Sequence, residues 1–156
     1  MKKVSAAPYI MLALALLGIV VAFYDAYAIH NGQELWCPPP ISGCNEVASS
    51  RYARIFNLPV GYYGVVYYLY MFGLAALLAF DPFSRGLRFA ALGYAALGVC
   101  FSIYFMYLQF AFIHAFCIYC FISAVTTVLL LIAALSHLRA SADYSKDHKD
   151  RTFRGM

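Results

Sequence analysis

Charge is scarce in this chain: 12% of its 156 residues are Asp, Glu, Lys or Arg, against about 25% in a soluble domain. No acidic or basic block stands out, so no nucleic-acid partner is expected. Glycine loops of the dinucleotide-binding kind are missing, which argues against flavin or nicotinamide chemistry. The C-x-x-C at Cys117-Ile118-Tyr119-Cys120 is followed by Phe121 rather than His, and iron–sulfur spacings do not occur. Electron transfer, if the chain performs it, has to run through thiols and a diffusible acceptor.

Apolar residues make up 64% of the chain, and they gather into four runs, 8–29, 59–80, 87–111 and 115–138. Each matches the roughly 20 helical residues that cross a bilayer core of about 30 Å. The first run has the basic start of a secretory signal, but it is longer than a signal core and Ala26-Tyr27-Ala28 is a faint cleavage site; we read it as a span. Pro59 suits a first helical turn, where its missing N–H has no partner to lose. Asp81-Pro82 ends the second run. In lipid, only helices or closed barrels satisfy the backbone, and barrel strands would be about half as long and alternating. The expected fold is an all-α membrane protein of one domain: a four-transmembrane-helix bundle over 8–138, an N-terminus 1–7, a long loop 30–58 between the first two helices, and a charged tail 139–156. The tail mixes both signs and is expected to be mobile or marginally helical.

Lys and Arg set the expected orientation. With the N-terminus inside, Lys2, Lys3, Arg85, Arg88, Arg139, Lys146, Lys149, Arg151 and Arg154 are cytoplasmic, and only Arg51 and Arg54 lie outside. That bias places both termini in the cytoplasm and loop 30–58 on the extracytoplasmic side of an inner (plasma) membrane.

Four of the five cysteines form two pairs that this topology puts on the outer face. Cys117 and Cys120 stand at the start of the fourth helix, where the spacing brings both side chains to one face and the helix N-terminus favours a thiolate. A static disulfide or half a zinc site would use the same motif. Cys37 and Cys44 are seven positions apart. The stiff Pro38-Pro39-Pro40 extends the chain between them, and Ile41-Ser42-Gly43 turns it back, with Gly43 free to take positive φ. A structural loop staple is the alternative there. Two dithiols on one face can exchange through a mixed disulfide. Electrons would then end near the membrane edge, where a quinone is the fitting two-electron acceptor. Cys100, deep in the third run, is expected to be a buried small hydrophobe.

The combined pattern resembles the vitamin K epoxide reductase family, in particular prokaryotic single-domain members. The resemblance rests on the loop pair Cys37 and Cys44, on Ser50 six residues after Cys44, on Leu58-Pro59-Val60 followed by Gly64, and on Ser102-Ile103-Tyr104 placed fifteen residues before Phe116-Cys117-Ile118-Tyr119-Cys120. It implies that Cys37 exchanges with a thioredoxin-like partner and that Cys44 bonds transiently to Cys117. It further implies that Cys120 faces the quinone, of menaquinone, ubiquinone or vitamin K type, and that Ser50 orients the loop or the relay. Animal members place an Asn and a Tyr where Val60 and Ala124 stand, which argues against animal-type epoxide chemistry. Many bacterial members carry a fused thioredoxin domain; the tail here is too short for one, so the partner is expected to be a separate protein.

At about 1.5 Å per helical residue, Tyr63, Tyr67, Tyr104 and Tyr107 fall in the outer third of the bilayer, level with Cys120. They are the candidate quinone contacts, although aromatics also gather at membrane interfaces for other reasons. Gln109 and His114 are polar candidates at the same end. Residues 45–58 are expected to form a short amphipathic helix, a lid over the quinone site that meets lipid headgroups through Arg51 and Arg54. Two rivals remain. A second four-helix disulfide-oxidase family also uses quinone, but its cysteine pairs come in the opposite order. A soft-metal transporter would bind metal through the four thiols; our reading assigns no metal.

Overall fold

The computed structural model describes residues 6–38 and 43–154, with side chains as far as residue 140. In chain order, α1 is Ala7–His30, α2 Cys44–Ser49, a 3-10 turn Arg51–Ala53, β1 Arg54–Ile55, β2 Leu58–Pro59, α3 Val60–Phe80, α4 Arg85–Leu108 with a π turn Gln109–Ile113, and α5 Ile118–Arg154. Four segments are long and apolar enough to cross a membrane: Ala7–His30, Val60–Phe80, Arg85–Ile113 and Ile118–Ala140. The molecule is a four-helix membrane bundle.

Helix α1 packs against α3 and α5, and α4 against α5 and α3. Small residues allow the closest approach: Ala15, Gly18, Ala22 and Ala26 are buried along one stripe of α1. A Cβ on Gly61 would stand 2.8 Å from the Ala22 carbonyl oxygen, so only glycine lets α3 start against α1 there. Met11, Tyr68, Met71, Leu78 and Leu130 fill the centre. Hydrogen bonds cross between helices inside it: the Tyr68 hydroxyl donates to the Ser123 carbonyl at 3.0 Å, and Ser102 pairs with Thr127 at 3.0 Å. Large apolar side chains such as Leu16, Val20, Phe23, Ile103 and Ile132 point outward, as a lipid-facing surface requires.

Several expectations are corrected. Segment 45–58 is not one helix: Ser50 turns to extended backbone (ψ 154°) and ends α2, and the chain then folds into the β1–β2 hairpin. Arg54 pairs with Pro59 and Ile55 with Leu58, and both central residues of the turn, Phe56 and Asn57, have positive φ, as a tight two-residue hairpin demands. Helix α5 runs on through the tail to Arg154, with no Gly or Pro to interrupt 118–154. Cys100 is exposed on the outward face of α4, not buried. The expected stiff stretch and turn at Pro39, Pro40, Ile41 and Ser42 lies outside the described residues.

Candidate active site

Cys37 and Cys44 are joined by a disulfide, with their Cα atoms 6.2 Å apart. Cys44 is the first residue of α2 and is fully buried, whereas Cys37 is partly exposed beside Trp36, itself 68% exposed. Asn45 fixes this loop by accepting from the Leu35 N–H at 2.7 Å.

Cys117 sits one position before α5 rather than within it, and its carbonyl accepts the Phe121 N–H, so it caps the helix. Cys120 is in the first turn. Both are free thiols. The Cys120 thiol bonds to the Cys117 sulfur and holds the Cys117 thiol below its ordinary range, while burial and the Asp25 charge act in the opposite direction. The Cys117 N–H donates to the buried Gln109 side chain at 3.1 Å. Gln109 opens the π turn that ends α4. His114 then reverses the chain in a left-handed conformation (φ 55°). That conformation is the structural part His114 plays; its side chain is exposed.

The two pairs meet. Cys44 and Cys117 share one buried cluster with Ala28, Ile29 and Leu35, and Cys37 and Cys120 pack on its edge. The approach depends on Gly43. Its φ is −77°, so the expected positive φ is not used. Instead, a Cβ there would stand 2.6 Å from the Phe116 backbone nitrogen; glycine is needed for closeness rather than for its freedom of turn. The Tyr119 hydroxyl adds a tie by donating to the Trp36 carbonyl at 2.6 Å, while its ring packs on Tyr24.

Beside the cysteines lies a partly open cavity of about 590 Å³, lined by α1, α3, α4 and α5 and roofed by Val47, Ala48, Ser50, Tyr52, Ala53 and Ile55. Cys117, Cys120 and Asp25 are on its wall. The volume suits a ligand of quinone size, and the wall supplies flat rings and a few hydroxyls.

The candidate residues divide. Tyr63 and Tyr67 line the cavity: the Tyr63 hydroxyl donates to the Ile55 carbonyl at 3.2 Å, and Tyr67 stacks on Tyr94 at 4.9 Å. Tyr104 and Tyr107 do not line it; they are 54% and 60% exposed on the outward side of α4. At about 100° per residue, Tyr94, Gly98, Phe101 and Phe105 turn inward and those two tyrosines turn away. Membrane depth alone did not separate the two faces; the 94, 98, 101, 105 spacing would have. Ser50 lines the roof, and its hydroxyl donates to the Val47 carbonyl at 2.7 Å, which ties it to the end of α2. Among the described residues no group of three or more His, Cys, Asp or Glu side chains converges as a metal site would require.

Comparison with known proteins adds two findings. The model of the vitamin K epoxide reductase family matches residues 9–135. A curated relative, the thiol-disulfide oxidoreductase LTO1 of Arabidopsis thaliana, is 28% identical over 122 residues, covering 74% of this chain. The match spans 32% of that relative's own length.

Proposed function

The chain belongs to the vitamin K epoxide reductase family, and on that premise we propose that it is a membrane thiol–disulfide oxidoreductase. In this reading it takes electrons from a separate thioredoxin-like protein, passes them between its cysteine pairs, delivers them to a quinone, and so supports disulfide-bond formation on the extracytoplasmic side. One observation carries the reading: Cys44 of the disulfide and Cys117 of the dithiol are buried in a single cluster at the edge of a quinone-sized cavity.

The roles follow from placement. Cys37, at the partly exposed end of its disulfide, is the sulfur that a partner's thiolate can reach. Cleavage there joins Cys37 to the partner and frees Cys44, already packed with Cys117; the partner's second thiol then breaks the bond to Cys37 and the partner leaves as a disulfide, so that Cys37 is again a thiol. Cys44 attacks the Cys117–Cys120 disulfide at Cys117 and forms a mixed disulfide, and Cys37 resolves it. Two electrons then rest on the Cys117–Cys120 dithiol. The acceptor, a quinone, takes two electrons and two protons. Tyr63, Tyr67 and Tyr94 would hold its ring, and the segment 47–55 covers it and keeps water out. Ser50 holds the end of α2 and so aims the roof and the loop pair. The Lys and Arg distribution supports both termini lying in the cytoplasm of a plasma-type membrane.

The test is quinone reduction by purified protein supplied with a reduced thioredoxin-like protein. Turnover is expected with the intact chain and abolished in Cys120→Ala. Normal turnover in that variant would overturn the assignment.

A further inference from the structure

Asp25 is the only Asp or Glu within the four membrane-crossing segments. An ionisable side chain at that depth is costly and needs a reason. It is not turned to lipid: it lies on the wall of the cavity with Cys117 and Cys120. Among the described residues it is also the only Asp, Glu, Lys, Arg or His on that wall. Neither His30 nor His114, the histidines nearest in sequence to the site, is among the lining residues.

The reaction proposed above needs a proton carrier in that place. When Cys117 and Cys120 close their bond, two S–H bonds break, one S–S bond forms, and two electrons and two protons leave. The electrons go to the quinone and the protons must reach its two oxygens. The remaining titratable groups on the wall are phenols, namely Tyr63, Tyr67 and Tyr68 on α3, Tyr94 on α4, Tyr119 on α5 and Tyr52 in the roof. Phenols ordinarily ionise near about pH 10 and are poor acceptors at neutrality. A carboxylate is a competent one.

We propose that Asp25 carries protons between the Cys117–Cys120 pair and a quinone held in the cavity. Each proton in turn leaves sulfur for the carboxylate and then passes to a quinone oxygen, so Asp25 returns to its starting state once the quinol has formed; with no quinone present, a proton taken from sulfur stays on the carboxylate. The inference rests on the quinone-reductase reading and deepens it. It separates Asp25 from the thiols, which carry the electrons, and from the rings, which hold the acceptor.

The test compares wild type, Asp25→Asn and Asp25→Glu. With a water-soluble quinone analogue, Asn is expected to lower turnover by about 100-fold, the usual worth of a placed acid–base group, and Glu to restore most of it. The wild-type rate should fall at the acid end of the pH profile, where the carboxylate can no longer accept a proton, and this limb should vanish in Asn. A second readout needs no quinone: infrared difference spectra between the dithiol and disulfide states of Cys117–Cys120 should contain a carboxyl band that Asn removes. A folded Asn variant with the wild-type rate and pH profile, or difference spectra without that band, would overturn the inference alone. A wild-type protein that reduces no quinone would overturn the quinone-reductase reading, and this inference with it.

Discussion

Gly43 lies directly against the backbone of Phe116, so the residues that precede Cys44 and Cys117 touch one another. This contact brings the loop that carries Cys37 and Cys44 down onto the start of α5. Gly43→Ala should push the two segments apart, since its Cβ would meet backbone atoms that cannot swing away. Overpacking of this kind costs about 1–3 kcal/mol. A displacement near 1 Å at reacting atoms can slow a step by about 100-fold. Stopped-flow measurement of exchange between the two pairs should show the slowing, while each dithiol alone remains reducible.

Cys117 should ionise more readily than its burial suggests, because the Cys120 thiol hydrogen-bonds to it and lowers its pKa. Removing that donor in Cys120→Ala leaves burial and the Asp25 charge unopposed by it. The pH midpoint for alkylation of Cys117 in reduced protein should therefore move upward in the variant, as read by mass spectrometry. A downward move would mean that the hydrogen bond is not what sets Cys117.

Tyr119 and Gln109 are expected to have separable effects. Tyr119→Phe removes the hydroxyl that donates to the Trp36 carbonyl and keeps the ring against Tyr24. Loss of one such bond costs about 0.5–1.5 kcal/mol, so amide exchange around residues 34–38 should quicken while global melting changes little. Gln109→Ala instead strands the buried Cys117 N–H. An unsatisfied buried donor costs about 1–3 kcal/mol, and the melting temperature itself should fall.

The tyrosines give a contrast within one helix pair. Tyr67→Ala should raise the KM for a quinone, because Tyr67 lines the cavity and stacks on Tyr94. Tyr104→Ala and Tyr107→Ala should leave KM unchanged, because both rings face outward from α4. Equal effects at Tyr67 and Tyr104 would contradict this placement of the quinone.

Much of the architecture was legible because lipid imposes length and hydropathy on every span; the sequence carries four long apolar runs, and the structure has four helices long and apolar enough to cross a membrane. The loop was not legible in the same way. Its segments are held by single contacts between residues far apart in the chain, such as Tyr119 with Trp36, and no periodicity encodes these. Gly43 was noticed for the wrong property, since sequence shows that a Cβ is missing but not which backbone comes close. Depth along the helix says nothing of which way Tyr104 and Tyr107 face, and both rings are exposed on α4. Asp25 is a charge inside a span in the sequence itself, but only the bundle reveals that it shares a wall with the cysteines.

Trapping the link between the loop and α5 is the decisive measurement. In a Cys37→Ala, Cys120→Ala double variant, mild oxidation should join Cys44 to Cys117, and peptide mapping should recover the two segments as one cross-linked species. A folded variant in which both thiols stay free, or pair only with other molecules, would show that the two dithiols do not communicate.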